Sequence, residues 1–253
     1  MTGSRTSIRA GRYVNQPTGY RAFMPAPLPP DPPIDLIGEL TRLLSEADRA
    51  LGRLDGSVLT LPNPDLFVFM YVRKEAVLSS QIEGTQRRLL ITFLLTERGI
   101  LHKPVLYLSH YFKQHRQAYY DHLQAVRDRG AWEEWLAFFL RGVVEVAGEA
   151  AETARRIQQL REQYRAAITA QLGRAAGNGH KILESLFDRP ILSVHDVQKI
   201  TGTTYAAANS LISRMVKLGV LDEMTGFARN RRFRFAPYIK LFSNANLEAD
   251  EAI

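Results

Sequence analysis

The chain has 253 residues, 45% of them hydrophobic and 9% aromatic, which is enough to bury a core in one large or two modest domains. With no cysteine it can build neither a disulfide framework nor a thiolate metal site, and no apolar run approaches the roughly 18–20 residues of a membrane helix. The formal charge of +7 favours an anionic partner, and where that charge sits decides which.

Residues 1–33 are polar and then proline-rich (PAPLPPDPP), too rich in proline for helix, and are predicted to lie extended as an arm across a domain surface. No apolar signal-peptide core precedes the proline run, so the expected localisation is cytoplasmic. From Ile34 to Leu54 apolar residues recur at Ile34, Ile37, Leu40, Leu44, Ala47, Leu51 and Leu54, the spacing of one helix face against a core. A second helix is predicted over about 64–83, ending at Gly84. A third, over about 88–98, is apolar on nearly all faces, which predicts a buried helix with Arg87 and Arg88 at its N-terminal edge, a place suited to an anion. Further helices are expected over Tyr111–Arg129 and from Trp132 to Leu172. The front of the last is apolar and its rear (ARRIQQLREQYR) charged, so it is expected to leave the core as it proceeds.

Gly177-Asn178-Gly179-His180 has the letters of a phosphate loop but lies after the long helix, and is read as a flexible linker with Asn and Gly turn chemistry. The histidines are scattered; His110, His115 and His122 fall among aromatics on one helix, where packing or exposure is the simpler role. Beyond His180 come short elements: a helix at 180–187, a turn at Asp188-Arg189-Pro190, a helix capped by Ser193 and ended by Gly202, and a helix capped by Thr203 and stopped at Gly219. VLDEM, a Thr225-Gly226 turn and RRFRF then form a hairpin. Helix, turn, capped helix and basic hairpin together predict a winged helix-turn-helix over 177–242. Thr203, Thr204, Tyr205, Asn209, Ser210 and Arg214 are its candidate major-groove donors, and Arg229, Asn230, Arg231, Arg232 and Arg234 its candidate phosphate contacts. The alternative is a structural or dimerising winged helix with a solvated basic hairpin. Residues 243–253 are acidic and polar and are expected to be a disordered tail.

Residues 79–97 (SSQIEGTQRRLLITFLLTE) carry a resemblance. Ser79, Glu83 and Gly84 match the (S/T)xxxE(G/N) inhibitory motif of Fic-type AMP-transferases, and RLLITFLLTERGIL at 88–101 resembles the helix that follows their HxFx(D/E)GNGRxxR catalytic loop. Residues 11–33 and 63–86 resemble the N-terminal Fic module, and 106–143 the C-terminal Fic helices. The implied fold is mainly α: an N-terminal Fic module with its inhibitory helix at 34–86, the C-terminal part of the Fic helical domain at 87–176, and the winged helix behind it. The implied activity is AMP transfer from ATP, with Mg²⁺, to protein hydroxyls.

Between Glu83 and Arg88, however, stands neither a His-x-Phe nor a GNGR sequence, so the resemblance is to an internally shortened member. The groups that would take the hydroxyl proton, hold Mg²⁺ and cradle the phosphates are missing, and no catalytic residue is assigned. Resemblance leaves Arg88 as the γ-phosphate arginine that the glutamate would pair with, and Tyr119, in the spacing RxxYY, near the nucleotide base; Glu83, Arg88 and Tyr119 are thus a nucleotide-binding remnant, with a core aromatic as the plainer role of Tyr119. On one straight helix Glu83 and Arg88 would sit about 140° apart and could not pair. The expectations are therefore a Fic-lineage chain without catalysis, a DNA-binding regulator whose Fic body supplies a homodimer, or a partner that inhibits an intact Fic relative. Loss of core helices would also leave apolar surface uncovered.

Overall fold

The structure, a computed structural model, describes residues 9–79, 85–227 and 230–242, with side chains described outside 74–79 and 85–89. In chain order the elements are strands β1 (Gly11–Asn15) and β2 (Arg21–Pro25), then helices α1 (Glu39–Leu59), α2 (Pro64–Ser79), α3 (Thr85–Glu97), α4 (Ser109–Gln114), α5 (Arg116–Arg129) and α6 (Trp132–Leu172). After a 3-10 turn at Gly173–Ala175 come α7 (Ala176–Asp188), β3 (Ile191–Ser193), α8 (Val194–Thr201), α9 (Tyr205–Lys217), β4 (Asp222–Glu223), β5 (Arg232–Arg234) and α10 (Ala236–Lys240). The fold is mainly α. It divides into one unit of Met1–Leu54 with Glu75–Glu149 and a second of Asp55–Lys74 with Ala150–Ile253. No described helix is long and apolar enough to cross a membrane.

In the first unit the arm is not a bare extended segment: β1 and β2 pair antiparallel in the register Gly11↔Pro25 to Asn15↔Arg21. Gly11 has φ +134, and a Cβ there would lie 2.3 Å from the Met24 carbonyl oxygen, so the strands close only around a glycine. The Tyr13 and Phe23 rings face each other at 5.3 Å, with the Arg127 guanidinium 5.2 Å over Phe23 and donating to the Tyr13 hydroxyl at 3.1 Å. Arg9 grips Glu133 at the start of α6 with two bonds of 3.0 and 2.7 Å, and the same carboxylate accepts from the Asp35 amide at 3.0 Å.

Helix α1 starts later than its apolar spacing suggests. The Asp35 carboxylate accepts from the Ile37 amide at 2.9 Å, a local turn that competes with helix, and Gly38 follows with φ +70. Ile37 is consequently 83% exposed, and Leu44 falls on the flank of the stripe, 42% exposed. The buried stripe is Leu40, Leu43, Ala47, Ala50, Leu51, Leu54 and Val58. Leu40 and Leu43 meet Ala137 of α6, with Ile34, Leu136 and Leu140 packed alongside.

Helix α3 corrects a second expectation. An all-apolar helix buries only the side that finds a partner: Thr92 is buried and bonds the Leu106 carbonyl, whereas Leu90, Phe93 and Leu94 are 63%, 58% and 52% exposed. The single helix expected over Tyr111–Arg129 is interrupted at His115, whose ring lies 4.5 Å from Tyr111.

In the second unit the charged rear of α6 stays in a core. Ala154, Ile157, Tyr164, Ile168 and Leu172 form a buried stripe along it, and the Tyr164 hydroxyl donates to the Gly219 carbonyl at 3.0 Å. The charges are accommodated beside the stripe, where Arg161 and Arg165 both bond Glu184 of α7. Nor is Gly177-Asn178-Gly179 a linker: all three are helical, and the turn is made at Gly173, φ +51. A Cβ on Gly179 would stand 2.6 Å from Leu172 Cδ1 and 2.9 Å from Ile168 Cγ2, so glycine lets α7 approach α6 closely. Phe67 and Tyr71 of α2 close this core against Phe242, at 5.8 and 6.1 Å.

Candidate nucleic-acid interface

Of the motif residues, Ser79 closes α2 and Arg88 falls within α3, but both side chains, together with Glu83 and Gly84, lie outside the described residues. Tyr119 is half-buried, with its ring 4.8 Å from Phe112, 5.3 Å from Tyr120 and 5.7 Å from Trp135; its aromatic surface is engaged in packing. His115 and His122 likewise pack on Phe138, at 6.4 and 5.0 Å. Among the described residues no group of three or more His, Cys, Asp or Glu could hold a metal ion.

The chemistry of the second unit gathers around α9. Helix α8 begins in a reciprocal cap: the Ser193 hydroxyl accepts from the Asp196 amide at 3.2 Å, and the Asp196 carboxylate accepts from the Ser193 amide at 2.8 Å and hydroxyl at 2.6 Å. These donors hold the Asp196 carboxyl below its ordinary range, with Arg232 and Lys199 adding to the effect. Gly202, at φ +67, ends α8. The cap of α9 is Thr204 rather than Thr203: Thr204 Oγ1 accepts from the Ala207 amide at 3.3 Å, while the Thr203 hydroxyl is 2.8 Å from that of Thr201. The extended backbone of Thr204 is what makes it the cap.

From that start the 3.6-residue repeat sorts α9 into two faces. Ala208, Leu211, Ile212 and Met215 are buried. Ala206, Ser210, Ser213 and Lys217 fall about opposite and are exposed, with Tyr205, 53% exposed, at the N-terminal end against His195. Ser213 and Lys217 were not among the residues singled out from the sequence, although their spacing from Ser210 places them on its face.

The hairpin forms a three-stranded antiparallel sheet in the order β3-β5-β4, with Ser193 opposite Arg232 and Asp222 opposite Arg234. Strand alternation buries Phe233 and exposes Arg232 and Arg234. Asn230 takes a positive φ of 54 at the hairpin end and is exposed; Arg229 lies outside the described residues. The remaining candidates are already engaged. Arg214 donates to the Gln171 carbonyl at 3.1 Å, and Arg231 donates to Asn209 Oδ1 at 2.6 Å and stands 3.6 Å from Glu223. The Arg231–Asn209 bond ties the hairpin directly to α9.

A model of the Fic/DOC family N-terminal region matches residues 41–94. The matched segment runs from Thr41 in α1 through α2 to Leu94 in α3, and it supports membership of the Fic/DOC family.

Proposed function

We propose that this Fic/DOC-lineage chain works through residues 177–242 as a winged helix that binds duplex DNA, and that it does not itself transfer AMP. The observation that carries the reading is the 2.6 Å bond from Arg231 to Asn209, which sets an arginine-bearing hairpin beside the outward face of a capped helix. On that face Ser210 and Lys217 supply donors for base edges, and Ser213, whose hydroxyl donates to the Asn209 carbonyl at 3.1 Å, supplies an acceptor, with Tyr205 at its end. Arg232 and Arg234, exposed on one side of β5, supply charge for phosphates. Against AMP transfer stands the sequence between Glu83 and Arg88, which holds only Gly84, Thr85, Gln86 and Arg87 and thus no proton acceptor or phosphate loop of the family type.

Fluorescence anisotropy of a labelled mixed-sequence duplex, titrated with the full chain over a series of salt concentrations, tests the reading. The expected result is binding that weakens linearly in log–log form as salt rises, with a dissociation constant of about 10⁻⁴–10⁻⁶ M near physiological salt. Undetectable binding at low salt would overturn it. Incubation with labelled ATP, Mg²⁺ and lysate proteins should leave all proteins unlabelled, and label that depends on the chain would restore an AMP-transfer reading.

A further inference from the structure

We infer that Arg231 is a positioning residue that fixes the wing against α9, and that its bond to Asn209 withdraws that asparagine from base reading. The inference rests on the DNA-binding reading above. Three groups from three elements share the one guanidinium: Asn209 of α9 accepts from Nη2 at 2.6 Å, Glu223 of β4 lies 3.6 Å from Nη1, and the Phe233 ring of β5 lies 5.4 Å beneath Cζ. A planar fork can serve all three at once, where a lysine ammonium cannot. Its charge is partly matched by Glu223, each side chain being 31% exposed, so it is the least available of the hairpin's described arginines for a phosphate.

Asn209 is affected in turn. Asparagine reads adenine by accepting from N6 with Oδ1 while donating to N7 with its amide. A guanidinium has no acceptor, so the Asn209 oxygen must face Arg231, and one of its two lone pairs is already committed there. Base reading is left to the outward stripe of Ser210, Ser213 and Lys217 with Tyr205, and the phosphate contacts to Arg232 and Arg234.

The test compares Arg231→Ala, Arg231→Lys, Asn209→Ala, the double variant Arg231→Ala/Asn209→Ala, and Arg232→Ala in the full chain, by thermal unfolding and by the salt slope of duplex binding. A lost phosphate contact should reduce the slope by about 0.9, and Arg232→Ala is expected to do so with an unchanged melting midpoint. Arg231→Ala and Arg231→Lys should each lower the midpoint by about 2–4 °C while leaving the slope as it was. Asn209→Ala should cost nothing further once Arg231 is gone. A slope reduced by about 0.9 in Arg231→Ala with an unchanged midpoint, or strict additivity of the two positions in melting, would overturn the inference. Should the unaltered chain bind no duplex, the DNA reading fails alone, and the melting non-additivity still decides the positioning role. Should Arg231→Ala not fold, Arg231→Lys and Asn209→Ala give the same decision.

Discussion

Gly142 in α6 sets a sharp test of the packing in the first unit. A Cβ at this position would stand 2.6 Å from Cδ1, 2.8 Å from Cε1 and 3.1 Å from Cγ of Tyr111. Carbon atoms settle at about 3.5–4.0 Å, so the ring must withdraw by about 1 Å. It has little room to do so: Tyr111 is 5% exposed and held at 4.5 Å from His115 and 5.1 Å from Phe138. Overpacking of this kind costs about 1–3 kcal/mol, opposed by about 1 kcal/mol from the better helix propensity of alanine. Gly142→Ala should therefore destabilise the chain by up to about 2 kcal/mol, whereas in a Tyr111→Ala background, with no ring to displace, the same change should stabilise by about 1 kcal/mol. Urea unfolding followed by the fluorescence of Trp132 and Trp135, both at the front of α6, measures the four corners of the cycle. A stabilisation of about 1 kcal/mol in both backgrounds would refute the steric argument.

Glu133, held by Arg9 and by the Asp35 amide, has its carboxyl lowered from 4.5 to about 2. A carboxyl depressed in the folded chain contributes stability that is complete above its unfolded value and is lost as pH falls from about 4.5 towards 2. With the Glu133 side chain 32% exposed, screening limits the contribution to about 1 kcal/mol. Glu133→Gln should thus be less stable near pH 7 and indistinguishable near pH 2; an equal deficit at both would refute the linkage. Ser193→Ala should cost about 1 kcal/mol through loss of the α8 cap, and should raise the Asp196 pKa towards its ordinary value in an NMR titration. An unmoved Asp196 would show that the serine is not the controlling donor. Gly11→Ala should open the β1–β2 hairpin at a cost above about 1 kcal/mol, read as faster amide exchange from Val14 to Met24; unchanged protection would mean that the strand pairing tolerates a side chain there.

Local signals were legible wherever the backbone chemistry of a single residue decides the conformation. Ser193 begins α8, Gly202 ends it, Gly219 takes a positive φ after α9, and Trp132–Leu172 forms one helix. Apolar spacing was less reliable. It placed Ile37 and Leu44 on a buried face, because periodicity carries no knowledge of the turn that Asp35 makes or of which flank Ala137 covers. It read α3 as buried, although an apolar helix has no means of supplying its own partner. In the GNG segment turn propensity was overruled by packing, since close approach to Ile168 and Leu172 is worth more there than the conformational freedom of two glycines.

At the candidate interface the sequence supplied the inventory: a polar helix, an arginine hairpin, and a resemblance whose N-terminal part the family match supports. The sequence also determined the mainly α character, through helix-period spacing and caps that act within one turn. Which arginine of the hairpin bonds across to α9 and which stands in solvent was decided only in three dimensions. The partners of Arg231, Asn209 and Glu223, are 22 residues away along the chain in one case and on a neighbouring strand in the other, and no local propensity encodes a bond formed across elements. The same physics separates Arg161 and Arg165, drawn to Glu184, from any role their run of charge suggested. A charged side chain is assigned by what lies opposite it once the core has closed, and that juxtaposition belongs to the tertiary structure alone.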